Sequence, residues 1–310
     1  MKKKYLIILL MVLRAPEIYS QVFLDKGFSP RATSLAKSVV ALTNDPSVLF
    51  YNPASIGFSD RISVYTSFTN LYPEVTDANF NFFTGAGIYP ISDAGSIGIG
   101  ITQFSPAAWS ERTIQGSFAT RFISEDLSVG ASVKLLQWSA DAPKGENAVP
   151  EPAISYLGFS FDIGASYVIR EIMEENDLRF GISFLNLNQP SVASNGSADA
   201  TLPSEISFGA AYPSHKYDYC ISSGITMRDD IIRVMAGTEI SALKTDVYSI
   251  QSEFIVRAGA GRAVKNNVQG DYNGGFGIRI NDFSLDYSYS YQSEIRNVGG
   301  INSISLRYEF

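Results

Sequence analysis

Histidine and cysteine are nearly absent from this sequence: His215 and Cys220 are the only examples in 310 residues. One of each excludes a His/Cys metal cluster and an intramolecular disulfide, and leaves almost no room for Ser-His-Asp or Cys-His catalysis. Charge is also scarce. Only 18% of residues are charged, against roughly 25% in ordinary soluble domains. The balance of 24 Lys+Arg to 31 Asp+Glu gives a net charge of -7 with no basic stripe, which argues against nucleic acid as a partner, because phosphate neutralisation needs clustered cations. Long apolar runs are missing too. The longest, residues 5–13, falls well short of the roughly 20 residues a membrane-spanning helix requires.

What is present points to strands. Apolar residues make up 45% of the chain and aromatics 13%, with 20 Phe, 17 Tyr and 25 Gly, a mixture that favours strands and turns over long helices. The opening Met1-Lys2-Lys3-Lys4, the apolar run after it and the segment ending at Ser20 have the charged, apolar and small-residue order of a secretory leader. Cleavage is expected near Ser20, with export from the cytoplasm. Cys220 is then expected as a small side chain in a strand.

From residue 61 onward the dominant period is two. Phe283, Leu285, Tyr287, Tyr289 and Tyr291 alternate with polar residues, as do Ile304, Leu306, Tyr308 and Phe310. The pattern predicts about fourteen strands, near 61–69, 79–90, 95–104, 112–123, 126–138, 155–170, 177–188, 204–212, 215–228, 230–241, 246–261, 270–280, 282–292 and 300–310. An even number, lengths suited to tilted membrane strands, and short turns alternating with longer polar loops all predict an all-β outer-membrane barrel. Closure is required because hydrocarbon offers no partner to a bare strand edge. The short link at Asp229-Asp230 departs from the loop pattern and suggests a misplaced boundary. The alternative fold is a secreted soluble β-sandwich, whose inner face would be equally apolar.

The final Tyr308-Glu309-Phe310, with its last aromatic in phase with the apolar face, resembles the C-terminal assembly signal of bacterial outer-membrane barrels, so Tyr308 and Phe310 are its expected carriers. That likeness implies contact with outer-membrane lipid and with barrel-assembly machinery. Residues 21–60 lack strict alternation and read as a hatch-like segment in or near the lumen of a 61–310 barrel. Asn44-Asp45-Pro46-Ser47 is a turn or helix-start signal, and Asn52 before Pro53 favours turn initiation.

The stretch SPRATSLAKSVVALTNDPSVLFYNPASIGF resembles the N-terminal region of the PorV/PorQ family, relatives of FadL-type fatty-acid transporters. The matches are Arg31-Ala32, Asp45-Pro46-Ser47 and Asn52-Pro53-Ala54, over about a tenth of the chain, while Ser34, Ala36 and Lys37 stand where the family carries glycines. The resemblance implies a FadL-like barrel of 14 strands. It also implies a non-enzymatic role in type IX protein secretion, through secretion-system proteins or secreted cargo at the cell surface. The FadL kinship implies instead a channel for hydrophobic small molecules. A channel predicts an apolar pocket beside Asn52-Pro53-Ala54 with an exit, and a scaffold predicts a blocked lumen and an apolar patch on the outer loops.

Remaining signals have bland readings. Gly95, Gly98 and Gly100, and Gly259 and Gly261, precede no helix, so they read as relief of crowding in curved strands and not as phosphate loops; no cofactor is expected. The pairs Glu174-Glu175 and Asp229-Asp230 read as solvated turns, since neighbours on a strand face opposite sides. Asn195-Gly196-Ser197 reads as loop sequence, and His215 as a solvated turn residue. Trp109 and Trp138, with Tyr89 and Tyr156, read as an interfacial aromatic girdle, with ordinary packing as the alternative. The loops around 139–154 and 189–203, with Pro150, Pro152, Pro190 and Pro203, are expected to face outward where a partner docks.

Overall fold

The computed structural model describes residues 22–43, 45–75, 79–106, 108–141, 153–173, 176–194, 200–214, 216–248, 250–264, 270–293 and 298–310. The expected leader and its cleavage site, Asn44, Pro150, Pro152, Glu174-Glu175, Asn195-Gly196-Ser197 and His215 lie outside them. Among the described residues fourteen strands occur: β1 (Ser63–Leu71), β2 (Phe80–Ile91), β3 (Gly95–Phe104), β4 (Trp109–Arg121), β5 (Leu127–Ala140), β6 (Ile154–Met173), β7 (Asn176–Leu185), β8 (Glu205–Ser214), β9 (Tyr219–Arg228), β10 (Ile231–Val247), β11 (Ile250–Ala263), β12 (Gly270–Ile280), β13 (Phe283–Gln292) and β14 (Ile301–Glu309). Every strand pairs with its sequence neighbours, and β1 pairs antiparallel with β14 from Ser63↔Glu309 to Leu71↔Ile301, closing the barrel. No described helix is long and apolar enough to cross a membrane; the strands meet that need.

Burial runs opposite to a soluble protein. Ile99 and Leu157 are 62% and 63% exposed on the outer face, whereas Ser160 and Ser288 are fully buried within. A β-sandwich would bury the apolar face, so this inversion excludes it. An apolar outer face of Ile, Phe and Leu suits a hydrocarbon surround, and several inner hydroxyls bond to one another, as Ser117 does to Ser132 at 2.8 Å, or to the N-terminal segment. Ser38 and Ser222, for example, meet at 2.7 Å. Ile304, Leu306 and Phe310 all face outward, and the backbone N–H of Phe310 donates to Ile62 at 2.8 Å.

Strands enter and leave at two distinct ends. The turn end carries the links at 92–94, 122–126, 215–218, 248–249 and 281–282, together with the C-terminus. The loop end carries the connections at 72–79, 141–153, 186–204, 264–269 and 293–300. Short turns on one side and mostly longer loops on the other, with 105–108 and Asp229-Asp230 as short links at the loop end, follow outer-membrane barrels, whose turns are periplasmic. The boundary at Asp229-Asp230 is sound after all: Arg228 pairs with Ile231, and Asp229 takes φ 52°, a left-handed conformation that Asp tolerates.

The aromatic girdle is only partly as expected. Tyr89 is exposed on the outer face, but Trp138 is buried, donates its indole N–H to the Val192 carbonyl at 2.8 Å and stacks on Trp109 at 4.6 Å. Tyr156 packs beside them at 6.3 Å. A buried indole N–H needs an acceptor, and the 186–204 connection supplies one inside the barrel mouth.

Candidate functional site

The lumen is filled by the chain's own N-terminal segment, built from three turns made the same way. α1 (Pro30–Ser34) and the 3₁₀ turns Pro46–Phe50 and Pro53–Phe58 each begin with proline and are preceded by a polar cap, Ser29, Asp45 and Asn52. Proline forces the preceding residue extended, which suits an N-cap, and itself needs no donor at the first helical position. The cap side chains accept from Ala32 N at 3.4 Å, Ser47 N at 2.9 Å and Ala54 N at 3.1 Å.

The chain turns here without the missing glycines, holding two other residues in the left-handed region that glycine favours. After α1, Ala36 and Lys37 adopt φ 54° and 69°. The Lys37 N–H donates to the Ala32 carbonyl at 2.7 Å, closing a Schellman-type helix end, and its ammonium reaches Asp25 at 2.9 Å. Burial pushes the Asp25 carboxyl up, but Lys37 and the N–H groups of Gly27 and Phe28 hold it below the usual range.

Asn52 ties this plug to the wall. It is fully buried; its amide donates to Val40 O and Ser166 Oγ, both at 2.9 Å, and to Ala165 O at 3.3 Å. The wall meets the plug backbone directly. A methyl group on Gly130 of β5 would lie 2.7 Å from the Pro53 carbonyl and the Ala54 nitrogen, and one on Gly259 of β11 would lie 2.6 Å from the Leu35 carbonyl carbon. The crowding these glycines relieve is thus that of the plug.

At the turn end an ion network clamps the same segment. Arg31 grips Glu239 of β10 with two hydrogen bonds, at 2.6 and 3.1 Å, and reaches Asp45 at 3.5 Å. Arg257 of β11 joins Glu239 at 3.0 Å to Asp286 of β13 at 2.6 Å. Burial opposes the charge on Arg31, yet Glu239 and then Asp45 raise its pKa above the ordinary value. Burial likewise pushes Asp45 up, and Arg31, Arg307 and the bonds from Ser47 more than offset it, leaving the carboxyl below the usual range.

Between the plug and the loop end lies a cavity of about 590 Å³. Leu71, Phe80, Phe82 and Phe104 on β1–β3 form one wall with Phe28 and Phe50 of the plug; Phe28 packs 4.9 Å from Phe50 and 5.8 Å from Phe82. Glu205, Arg228, Arg233, Asp271 and Asn273 on β8–β12 form the facing wall. The 186–204 connection does not simply face outward: Val192 and Leu202 are buried against Leu136, and Leu202 and Pro203 line the cavity. Apolar side chains with a pocket within reach turn inward.

Of the motif residues, Arg31 and Asp45 meet in the ion network, Pro46 and Ser47 continue the turn that Asp45 caps, and Asn52, Pro53 and Ala54 sit against β5 and β6. Ala32 is buried under the barrel wall. None of these eight residues lines the cavity, and Tyr308 and Phe310 lie on the outer face at the turn end. Glu239, Arg257 and Asp286 carry the clamp without a local sequence signal, being separated from Arg31 by more than 200 positions in the chain for Glu239. The described residues contain no group of His, Cys, Asp and Glu able to hold a metal ion.

A closed antiparallel barrel, apolar outside and hydrogen-bonded within, is an outer-membrane β-barrel. A family model described as type IX secretion system membrane protein PorP/SprF matches residues 45–308, and the chain belongs to that family. The matching family is PorP/SprF where the motif resemblance suggested PorV/PorQ, so what holds is the coarser statement, a type IX secretion outer-membrane barrel. No curated protein matches. Among solved structures the chain is similar to the Ralstonia pickettii toluene transporter TbuX, with 14% identity, TM-score 0.56 and 93% and 100% of the two chains covered. The Pseudomonas putida toluene transporter TodX is similar at 11% identity, TM-score 0.60 and coverage of 94% and 99%. At such identities the likeness is one of fold, and it agrees with the fourteen-strand FadL-like barrel.

Proposed function

We propose that this chain serves type IX secretion as a non-enzymatic barrel that works through protein partners, secretion-system proteins or the cargo they attach at the cell surface, and not by opening its own lumen. The observation that carries the reading is the plug: a buried segment locked by Asn52, by the Arg31 clamp and by glycines that admit its backbone. Family membership supplies the system. The cargo-handling role expected of PorV/PorQ-like proteins, leader cleavage near Ser20 and delivery by assembly machinery through Tyr308 and Phe310 belong to the same proposal.

Quantitative proteomics of medium, cell surface and periplasm from a strain lacking the gene tests it. Loss of cargo from surface and medium with accumulation in the periplasm is expected. An unchanged secreted set would overturn it. A second reading, uptake of hydrophobic solutes, is favoured by the phenyl wall of the mouth cavity and by the toluene-transporter neighbours. In that case the deletion strain secretes normally and loses uptake of toluene.

A further inference from the structure

The outer face of the barrel changes character toward the loop end. On β3–β6 the cross-strand row Ile101, Ile114, Leu135 and Phe159 points outward and is apolar throughout. Two residues nearer the loops, the next outward row on β3–β5 is Gln103, Arg112 and Gln137. This step marks the level at which hydrocarbon gives way to lipid head groups, because a cation on the lipid face is costly at the midplane and tolerated near the interface.

Arg112 is exposed and held by one bond: its Nε donates to Gln103 Oε1 at 2.8 Å. Gln103 is fixed in turn, donating to Ser105 Oγ at 2.7 Å and Ser110 Oγ at 2.8 Å. Among the described residues no carboxylate pairs with Arg112, and its two terminal nitrogens make no hydrogen bond. Arg262 of β11, seven strands away in the ring of fourteen, is also exposed on the outer face near the loop end, one step along from the Ala260↔Tyr272 pair, and has no carboxylate partner among the described residues. Exposed cations at the turn end differ. Arg61 pairs with Asp282 at 2.5 Å, Arg121 with Asp60 at 2.9 Å, Arg170 with Asp126, and Lys244 with Asp218. Those cations carry their counter-ions within the chain, whereas Arg112 and Arg262 must find theirs outside it.

We infer that the loop end of the lipid face binds the phosphorylated head of an outer-leaflet glycolipid, with Arg112 as the principal contact and Arg262 as a second point on the opposite side. A guanidinium offers parallel donors that match two phosphate oxygens, and Gln103 holds Nε while leaving both terminal nitrogens for the ligand. Gln137 stands directly across from Arg112 in the register, about 5 Å away between Cβ atoms, and makes no hydrogen bond of its own among the described residues, so its amide reaches the same head. The acyl chains then lie along Ile101, Ile114, Leu135 and Phe159. A zwitterionic lipid brings its own cation and gains less from an unpaired arginine than a lipid with net negative charge. The inference rests on the loop end facing outward and does not depend on the secretion role.

Native mass spectrometry of the full-length protein, released from a non-ionic detergent after incubation with diphosphoryl lipid A or phosphatidylethanolamine, reads the lipid retained. At least fivefold more lipid A than phosphatidylethanolamine is expected on the wild type. Arg112→Gln combined with Arg262→Gln should lower retained lipid A at least fivefold, with Arg112→Gln alone accounting for most of the loss. Arg61→Gln combined with Lys244→Gln removes the same two charges at the turn end and should leave lipid A binding unchanged. Inorganic phosphate at the lipid's concentration should displace none of it, because the acyl chains hold the head in place. Heat-modifiable migration in gels confirms that each variant is folded. Equal retention by wild type and the loop-end double variant, an equal loss in the turn-end variant, equal binding of phosphatidylethanolamine, or displacement by inorganic phosphate would overturn the inference.

Discussion

Replacing Asn52 by leucine removes every polar contact of one buried side chain while nearly conserving volume. The cap on Ala54 N is lost, about 1 kcal/mol. The Val40 carbonyl and the Ser166 hydroxyl lose the Asn52 donor, at about 1–3 kcal/mol each where no other partner replaces it. The total is roughly 3–7 kcal/mol, and at about 1.4 kcal/mol per tenfold it raises the open population of the plug by about two to five orders of magnitude. Hydrogen exchange read by mass spectrometry on peptides from 45–58 should lose protection by that factor, while β11–β13 peptides keep theirs. Ser166→Ala, which removes a single partner, should lose about tenfold. A change under fivefold for Asn52→Leu, or an equal loss throughout the strands, would refute the idea that this asparagine pins the plug.

Three other outcomes follow from the same geometry. Arg31→Met leaves Glu239 with Arg257 alone and takes the nearest cation from Asp45 in a buried setting, and should cost about 3 kcal/mol in thermal unfolding, whereas Arg31→Met with Glu239→Leu should recover at least half, because one of the under-compensated carboxylates goes too. Asp25 and Asp45 are both held below the ordinary range, so the native state binds protons less readily than the unfolded chain, whose aspartates titrate near about 3.9. Their stabilisation is then complete above about pH 5 and lost as pH falls through 4 towards the depressed native values; melting temperature followed from pH 6 to 3 should drop, and a rise would contradict the assignment. Phe310→Ala and Tyr308→Ala should each lower the heat-modifiable, membrane-inserted fraction severalfold, and normal insertion of both would dismiss them as an assembly signal.

The strands were readable because lipid outside and hydroxyls inside impose an alternation that each segment carries within itself, as in Phe283 to Gln292. Turn chemistry was readable for the same local reason: a polar cap followed by proline at Ser29, Asp45 and Asn52. What reads poorly depends on distant partners. Nothing near Arg31 announces Glu239 on the far side of the chain, and nothing near Trp138 announces that Val192 folds into the mouth and supplies its acceptor. The mouth cavity is harder still. Its two walls come from β1–β3 and β8–β12, and their opposition exists only once the ring closes.

The central claim is that the plug stays in place while the barrel does its work. Ser38 and Ser222, whose hydroxyls meet at 2.7 Å between plug and β9, can be changed together to cysteine in a Cys220→Ser background to staple the segment to the wall. Secreted cargo is then measured in the deletion strain carrying this variant, oxidised or reduced. Secretion equal to wild type with the staple closed is the predicted result. Secretion abolished by the staple and restored by reductant would show that the lumen must open, and would contradict the account.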